Sequence, residues 1–137
     1  MKGKPEVGKQ HSGIQMIFLI SSPLQALACW LIIKDNSFLK KSNIIVFTEG
    51  YYTLPDTANV KRIEVKNTRK NKKNIKDNIE IISSSIHGKC ELWVSELLWP
   101  MNNAAYSNLK ANNRIKSVNF FDEGVVMYFN TTHTTYQ

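Results

Sequence analysis

The stretch MIFLISSPLQALACWLIIK, residues 16–34, decides the fold, because it predicts a buried strand that turns directly into a helix. Residues 16–20 form a continuous apolar run, which is typical of a central strand covered on both faces. Ser22 and Gln25 form a capping box around Pro23, in which the Ser22 hydroxyl accepts from the Gln25 amide and the Gln25 side chain reaches back to the Ser22 amide. Such a turn directs N–H groups and partial positive charge at one point, which suits a phosphate or carboxylate. Any strand–helix unit has this geometry, so the turn alone does not establish a site.

The rest of the chain alternates strands and helices in the same way. Isoleucines spaced four, three and four apart over residues 75–86 predict an amphipathic helix that Gly88 closes. A further helix is predicted over residues 100–112, with Met101, Ala105 and Leu109 facing inward. Four further strands are predicted over residues 43–48, 60–65, 91–95 and 115–121. This order predicts an α/β fold, a Rossmann-like, mostly parallel doubly wound sheet with strand order 3-2-1-4-5 and the polar third strand at or near an edge. Ligands of such sheets bind beyond the carboxyl ends of the strands, near the point where the order reverses.

The length of 137 residues fits one domain of ordinary size. Residues 1–15 are polar and predict a disordered leader, residues 16–129 the folded domain, and residues 130–137 a polar tail.

Two features favour a cytoplasmic location. Ser21, Ser22 and Pro23 interrupt the first apolar run, which argues against a membrane span or an export signal. Cys29 and Cys90 show neither metal-ligand spacing nor a disulfide framework, which fits a reducing compartment. We therefore expect no metal and no membrane-spanning segment.

The net charge of +7 is concentrated in residues 61–76. The segment contains eight Lys and Arg residues and the acid Glu64, and with the adjacent Asp77 its net charge is +6. Such a patch attracts phosphate-rich partners, including the anionic inner leaflet of a membrane. Because no aromatic residue interrupts the basic run and no recognition motif accompanies it, we do not expect nucleic acid as a partner. A solvated helix start is the plainer interpretation.

Asp122, Glu123 and Gly124 follow the fifth predicted strand directly. Because the carboxyl ends of parallel strands share one edge, we expect these residues near Ser21 and Ser22. A carboxylate there is suited to act as a general base that takes the proton of an attacking hydroxyl, and the glycine permits close approach of a substrate. Successive side chains point in different directions, so only one of the two acids is expected to face the crevice. By composition alone, an ordinary acidic turn is the plainer explanation of the tripeptide.

These two motifs together resemble the N-terminal half of bacterial CMP-sialic acid-dependent glycosyltransferases, the family 52 lipooligosaccharide sialyltransferases and the capsule polysialyltransferases. Those families open with a strand, then Ser or Thr, Pro, Leu, Gln and an apolar helix, matched here by residues 22–25, and later carry two acids and Gly, matched by residues 122–124. The resemblance implies one half of a GT-B architecture, with Asp122 or Glu123 as base and Ser21, Ser22, Pro23, Gln25 and Gly124 bordering the substrate. It also implies a sugar acceptor, CMP-sialic acid as donor, no metal or other cofactor, and a place in lipooligosaccharide, O-antigen or capsule biosynthesis.

The chain departs from the family in one respect. The relatives place a His-Pro motif that helps to bind the donor in a second domain, and this sequence contains no His-Pro pair. We therefore expect the acceptor-side domain only, ending near a truncation point at residues 130–137, inactive without a separate donor-binding domain. The alternative is a non-catalytic α/β module that binds an anionic polymer or the membrane periphery through residues 61–76. A response-regulator-like domain is disfavoured, because Ser21 and Ser22 stand where that fold needs acids.

Overall fold

The computed structural model describes residues 14–35, 43–54 and 59–121. In this part of the chain, five parallel strands form one sheet with the order β3-β2-β1-β4-β5, as the sequence predicts. The strands are β1 (Gln15–Ile20), β2 (Asn43–Thr48), β3 (Val60–Glu64), β4 (Cys90–Val94) and β5 (Ile115–Phe120). The helices are α1 (Pro23–Asp35), α2 (Asn74–Ser85) and α3 (Pro100–Ala111). The α/β, Rossmann-like fold class is therefore confirmed.

The central strands are apolar and the outer ones are not. Every residue of β1 is buried, and β2 pairs with β1 along its whole length, from Gln15 beside Asn43 to Ile20 beside Thr48. The edge strand β3 exposes Lys61, Arg62 and Glu64, as its polar sequence predicts. A strand that pairs on one side only keeps charged side chains in water at little cost, and these also discourage pairing with another chain.

Helices cover both faces of the sheet. On one face, α1 packs against alternate residues of β1 and β2, and the buried residues there include Phe18, Cys29 and Ile33. On the other face, α2 and α3 pack together over the remaining inward residues, which include Ile17, Ile82 and Leu109. Three layers, helix on sheet on helix, result from the alternation of side chains along each strand.

The isoleucine stripe of α2 faces the core as predicted, with Ile82 and Ile86 buried and Ile75 and Ile79 partly buried. The end of this helix differs from the prediction. It ends at Ser85, Ile86 is its extended C-cap residue, and Gly88 adopts a φ of 84° two residues later. Gly88 therefore shapes the turn into β4 rather than closing the helix.

The strand order reverses between β1 and β4, because β2 and β3 lie on one side of β1, and β4 and β5 lie on the other. Helix α1 leaves β1 on one face, and α3 leaves β4 on the opposite face. The carboxyl ends of these two strands therefore form the topological switch point at which such folds bind ligands. No helix in the described residues is long and apolar enough to cross a membrane.

Candidate functional site

The turn between β1 and α1 lies at the switch point and contains the predicted capping box. The Gln25 amide donates to Ser22 Oγ at 3.2 Å, as expected. Gln25 Oε1 also accepts from the Ser21 amide at 2.8 Å and from the Ser21 hydroxyl at 3.3 Å. The long Gln25 side chain therefore reaches past the cap residue to the end of β1.

Gln25 also joins this turn to the neighbouring strand. Its Nε2 donates to Ser95 Oγ at 3.3 Å, immediately after β4 ends. Gln25 is buried, whereas Ser21 and Ser22 are half-buried and Pro23 is exposed. Gln25 thus positions the two strand ends, and the groups of the turn that a ligand can reach are Ser21, Ser22 and Pro23.

The predicted acidic motif, Asp122, Glu123 and Gly124, lies outside the described residues. Phe121 is the last residue before it; its side chain is buried and its amide donates to the Val94 carbonyl at 3.0 Å. Its ring lies 6.2 Å from that of Phe18, on the face covered by α1. The fifth strand therefore ends at the same edge as the β1–α1 turn, and the position of the two acids relative to Ser21 stays a prediction.

A different acid is buried at this edge. Glu49 directly follows β2, is 7% exposed, and accepts hydrogen bonds from the Thr68 amide at 2.8 Å and from the Thr68 hydroxyl at 2.8 and 2.9 Å. With Ser21 and Asn102 it lines a cavity of about 10 Å³, roughly the space of one water molecule. The sequence prediction missed Glu49, although an acid followed by Gly50 after a buried strand is the same signal that singled out residues 123 and 124.

Asn78 was also missed, although it is fully buried on the isoleucine face of α2. Its Oδ1 accepts from the Lys66 amide at 2.9 Å and its Nδ2 donates to the Lys66 carbonyl at 2.8 Å. Glu49 and Asn78 together hold the segment after β3, residues 65–68, against the body of the domain. Position 78 falls three residues after Ile75 and four before Ile82, so a polar residue on the apolar stripe was the available signal.

A surface pocket of about 330 Å³ opens where this segment meets the start of α3. It is lined by Thr68, Arg69, Lys72, Ile75, Trp99 and Pro100. The Arg69 guanidinium lies 4.9 Å from the centre of the Trp99 ring, a cation–π contact. The Trp99 indole N–H is buried and has no hydrogen-bond partner among the described residues.

The basic segment is only partly neutralised. Lys66 pairs with Asp77 at 2.6 Å, and the Lys66 hydrogen bond and charge lower the pKa of the Asp77 carboxyl. Arg62 lies 3.8 Å from Glu64 and stacks on Tyr51. Within residues 14–35, 43–54 and 59–121, no carboxylate pairs with the remaining basic side chains of the segment: Lys61, Arg69, Lys70, Lys72, Lys73 and Lys76. The fold also places two aromatic rings, those of Tyr51 and Trp99, against the basic segment, which contains no aromatic residue of its own.

No protein-family model, no curated protein and no solved structure matches this chain. The resemblance to sialyltransferases therefore rests on the two short motifs alone.

The potential metal ligands of the described residues are dispersed, and their two thiols are buried. The described residues contain no cluster of three His, Cys, Asp or Glu side chains that could hold a metal ion. Cys29 and Cys90 are free and buried. Burial raises the pKa of the Cys29 thiol far above its usual range and raises the pKa of Cys90 to about 11, so both are protonated and unreactive at neutral pH.

Proposed function

We propose that this chain is the acceptor-side domain of a sialyltransferase-like glycosyltransferase of bacterial surface polysaccharide biosynthesis. The observation that carries the proposal is the coincidence of the Ser-Pro-Leu-Gln turn with the switch point of the sheet, at the edge where β5 also ends. Substrates of doubly wound folds bind in this crevice.

In the proposed reaction, Asp122 or Glu123 is the general base. As the acceptor hydroxyl oxygen attacks the anomeric carbon of CMP-sialic acid, its proton passes to the carboxylate and CMP leaves. Ser21, Ser22 and Gly124 border the acceptor, and Gln25 acts as a positioning residue, since it holds the ends of β1 and β4 together.

The donor side of the reaction is assigned to a separate domain. The 137 residues contain three histidines and none is followed by proline, so the His-Pro motif of the resembling families has no counterpart here. We place the chain in the cytoplasm, in peripheral contact with the anionic inner membrane surface through residues 61–76.

The test is a transfer assay with CMP-sialic acid and a lactose-terminated acceptor. The chain alone should transfer no sialic acid, and a fusion to the donor domain of a family 52 enzyme should. In that fusion, one of Asp122→Asn and Glu123→Gln should lower turnover by about 10²-fold or more, as expected for loss of a general base, and the other much less. Glu96→Gln is the matched control, because Glu96 is an exposed acid just after β4 at the same edge. Full activity of both motif variants would refute the assignment of the base.

The second candidate is a non-catalytic module that binds anionic surfaces. The six basic side chains without a carboxylate partner in the described residues favour it. Cosedimentation with phosphatidylglycerol vesicles that is lost at high salt and persists in a chain carrying Asp122→Asn and Glu123→Gln together, combined with no sialic acid transfer by the fusion, would support this module over the transferase. Absence of vesicle binding at low salt would exclude it.

A further inference from the structure

The pocket beside Trp99 has the size and position of a ligand site. Its volume of about 330 Å³ lies at the lower end of the range for small-molecule sites. It lies on the α2–α3 side of the sheet, between the segment that follows β3 and the start of α3. Its lining combines apolar surface from Ile75 and Trp99 with the two cationic side chains of Arg69 and Lys72.

These two cations favour an anion of more than one charge. Neither Arg69 nor Lys72 pairs with a carboxylate in the part of the chain that the structure describes. Stacking on Trp99 restrains the Arg69 guanidinium, whose planar fork of donors matches a phosphate or carboxylate in bidentate geometry. A phosphate monoester carries about −1.5 to −2 at pH 7, against −1 for a carboxylate, and so neutralises both cations.

The start of α3 supplies further attraction for an anion. Trp99 is the N-cap residue and Pro100 the first helical residue, and both line the pocket. No side chain caps this helix start and no acidic residue lies in its first turn, so its partial positive charge is not offset locally.

The walls of the pocket are held in place before any ligand arrives. Thr68 is fixed by its three hydrogen bonds to Glu49. Lys66, two residues earlier, is fixed through its backbone by Asn78. Arg69 therefore follows an anchored segment, and little ordering is required on binding, which favours affinity.

We propose that this pocket binds a small phosphate monoester. Arg69 and Lys72 hold the phosphate beside the start of α3, and Ile75 and Trp99 contact the organic part. Binding requires neither Asp122 nor Glu123, so it does not depend on the proposed transfer reaction and is tested separately from it.

The test measures binding to the full chain by tryptophan fluorescence and, in parallel, by calorimetry. The probes are glucose 6-phosphate, uridine monophosphate, inorganic phosphate and glucose. At least one of the two esters should bind saturably, at least tenfold more tightly than inorganic phosphate, and glucose should not bind. The tighter ester identifies the organic part as a sugar or a nucleoside. If neither ester binds at least tenfold more tightly than inorganic phosphate, the proposal is wrong.

Charge-neutralising variants locate the site. Arg69→Gln and Lys72→Gln should each weaken binding of the tighter ester tenfold or more. The matched control is Lys61→Gln, which removes the same charge from an exposed position near the opposite end of β3 and should change affinity less than twofold. Equal weakening by Lys61→Gln would show diffuse attraction by the basic segment and would overturn the pocket assignment. Thermal unfolding of each variant, expected to match that of the unmodified chain, verifies that the variants are folded.

Discussion

Replacing Asn78 with alanine tests whether the segment after β3 is held by one buried amide. Asn78 is fully buried and makes two hydrogen bonds with the backbone of Lys66, at 2.9 and 2.8 Å, and its Nδ2 lies 3.6 Å from Met101 Sδ. Alanine removes both bonds and leaves a gap between α2 and that segment. The local helix is otherwise little affected, because alanine is the best helix former.

The expected loss of stability follows from these contacts. Two hydrogen bonds contribute a net amount of about 1 kcal/mol each, or about 2 kcal/mol together. The Lys66 amide and carbonyl lose their partner, and because Lys66 is an exposed residue, water replaces the lost bonds in part. We therefore expect a loss of about 2–4 kcal/mol in the free energy of unfolding. At roughly 4 °C per kcal/mol for a domain of this size, the melting temperature should fall by about 8–16 °C.

The assay is thermal and urea unfolding followed by circular dichroism, with Asn103→Ala as the matched control. Asn103 is exposed on α3, and its replacement should change stability by less than about 0.5 kcal/mol. Asn78→Ala should also weaken phosphate-ester binding below the melting transition, since Lys66 lies three residues before Arg69. If Asn78→Ala and Asn103→Ala have equal effects on stability, the segment is not anchored by Asn78.

Three other outcomes are expected. Ile82→Ala, at a position 2% exposed in the core, should cost about 2–5 kcal/mol in urea unfolding, and an unchanged midpoint would show that α2 does not pack on the sheet as described. Gln25→Ala removes the contacts to Ser21 and Ser95, so hydrogen exchange of the Ser21 amide should be tenfold faster or more, whereas an unchanged rate would show that another acceptor protects it. Burial raises the pKa of Cys29 and raises that of Cys90 to about 11, so as pH rises the thiols of the unfolded chain lose their protons before those of the folded chain. The free energy of unfolding should therefore fall between about pH 9 and 11, and it should fall less when both cysteines are replaced by alanine. An equal fall in the two proteins would contradict this origin.

The architecture was predictable because its signals are local. The apolar runs of β1 and β2 and the proline at the start of α3 each lie within a few residues of the element that they define, so the predicted boundaries agree with the structure to within one residue at β2 and at α3. The strand order followed from the alternation of strands and helices together with the handedness of crossovers. The polar sequence of β3 then identified the edge.

The polar contacts that shape the carboxyl edge were not predictable in the same way. Glu49 meets Thr68 across 19 residues and Asn78 meets Lys66 across 12, and no local pattern specifies either partner. The Arg69–Trp99 contact likewise requires the segment after β3 to lie beside the start of α3, which depends on how α2 and α3 pack. Periodicity identifies which face a residue occupies, and tertiary packing decides which group it meets.

The helix starts explain why an anion is expected beside Trp99 rather than at the β1–α1 turn, where the sequence first suggested it. At the start of α1, Ser22 Oγ accepts from the Gln25 amide, and Gln25 Oε1 accepts from the Ser21 amide just before the helix. At the start of α2, Asn71 accepts from the Lys73 and Asn74 amides. Among the helices of the described residues, α3 is the one whose start has neither a side-chain cap nor an acid in its first turn, and it adjoins two cations without carboxylate partners in that part of the chain. An anion is therefore stabilised most at the start of α3, where the protein's own side chains do least to neutralise the positive charge.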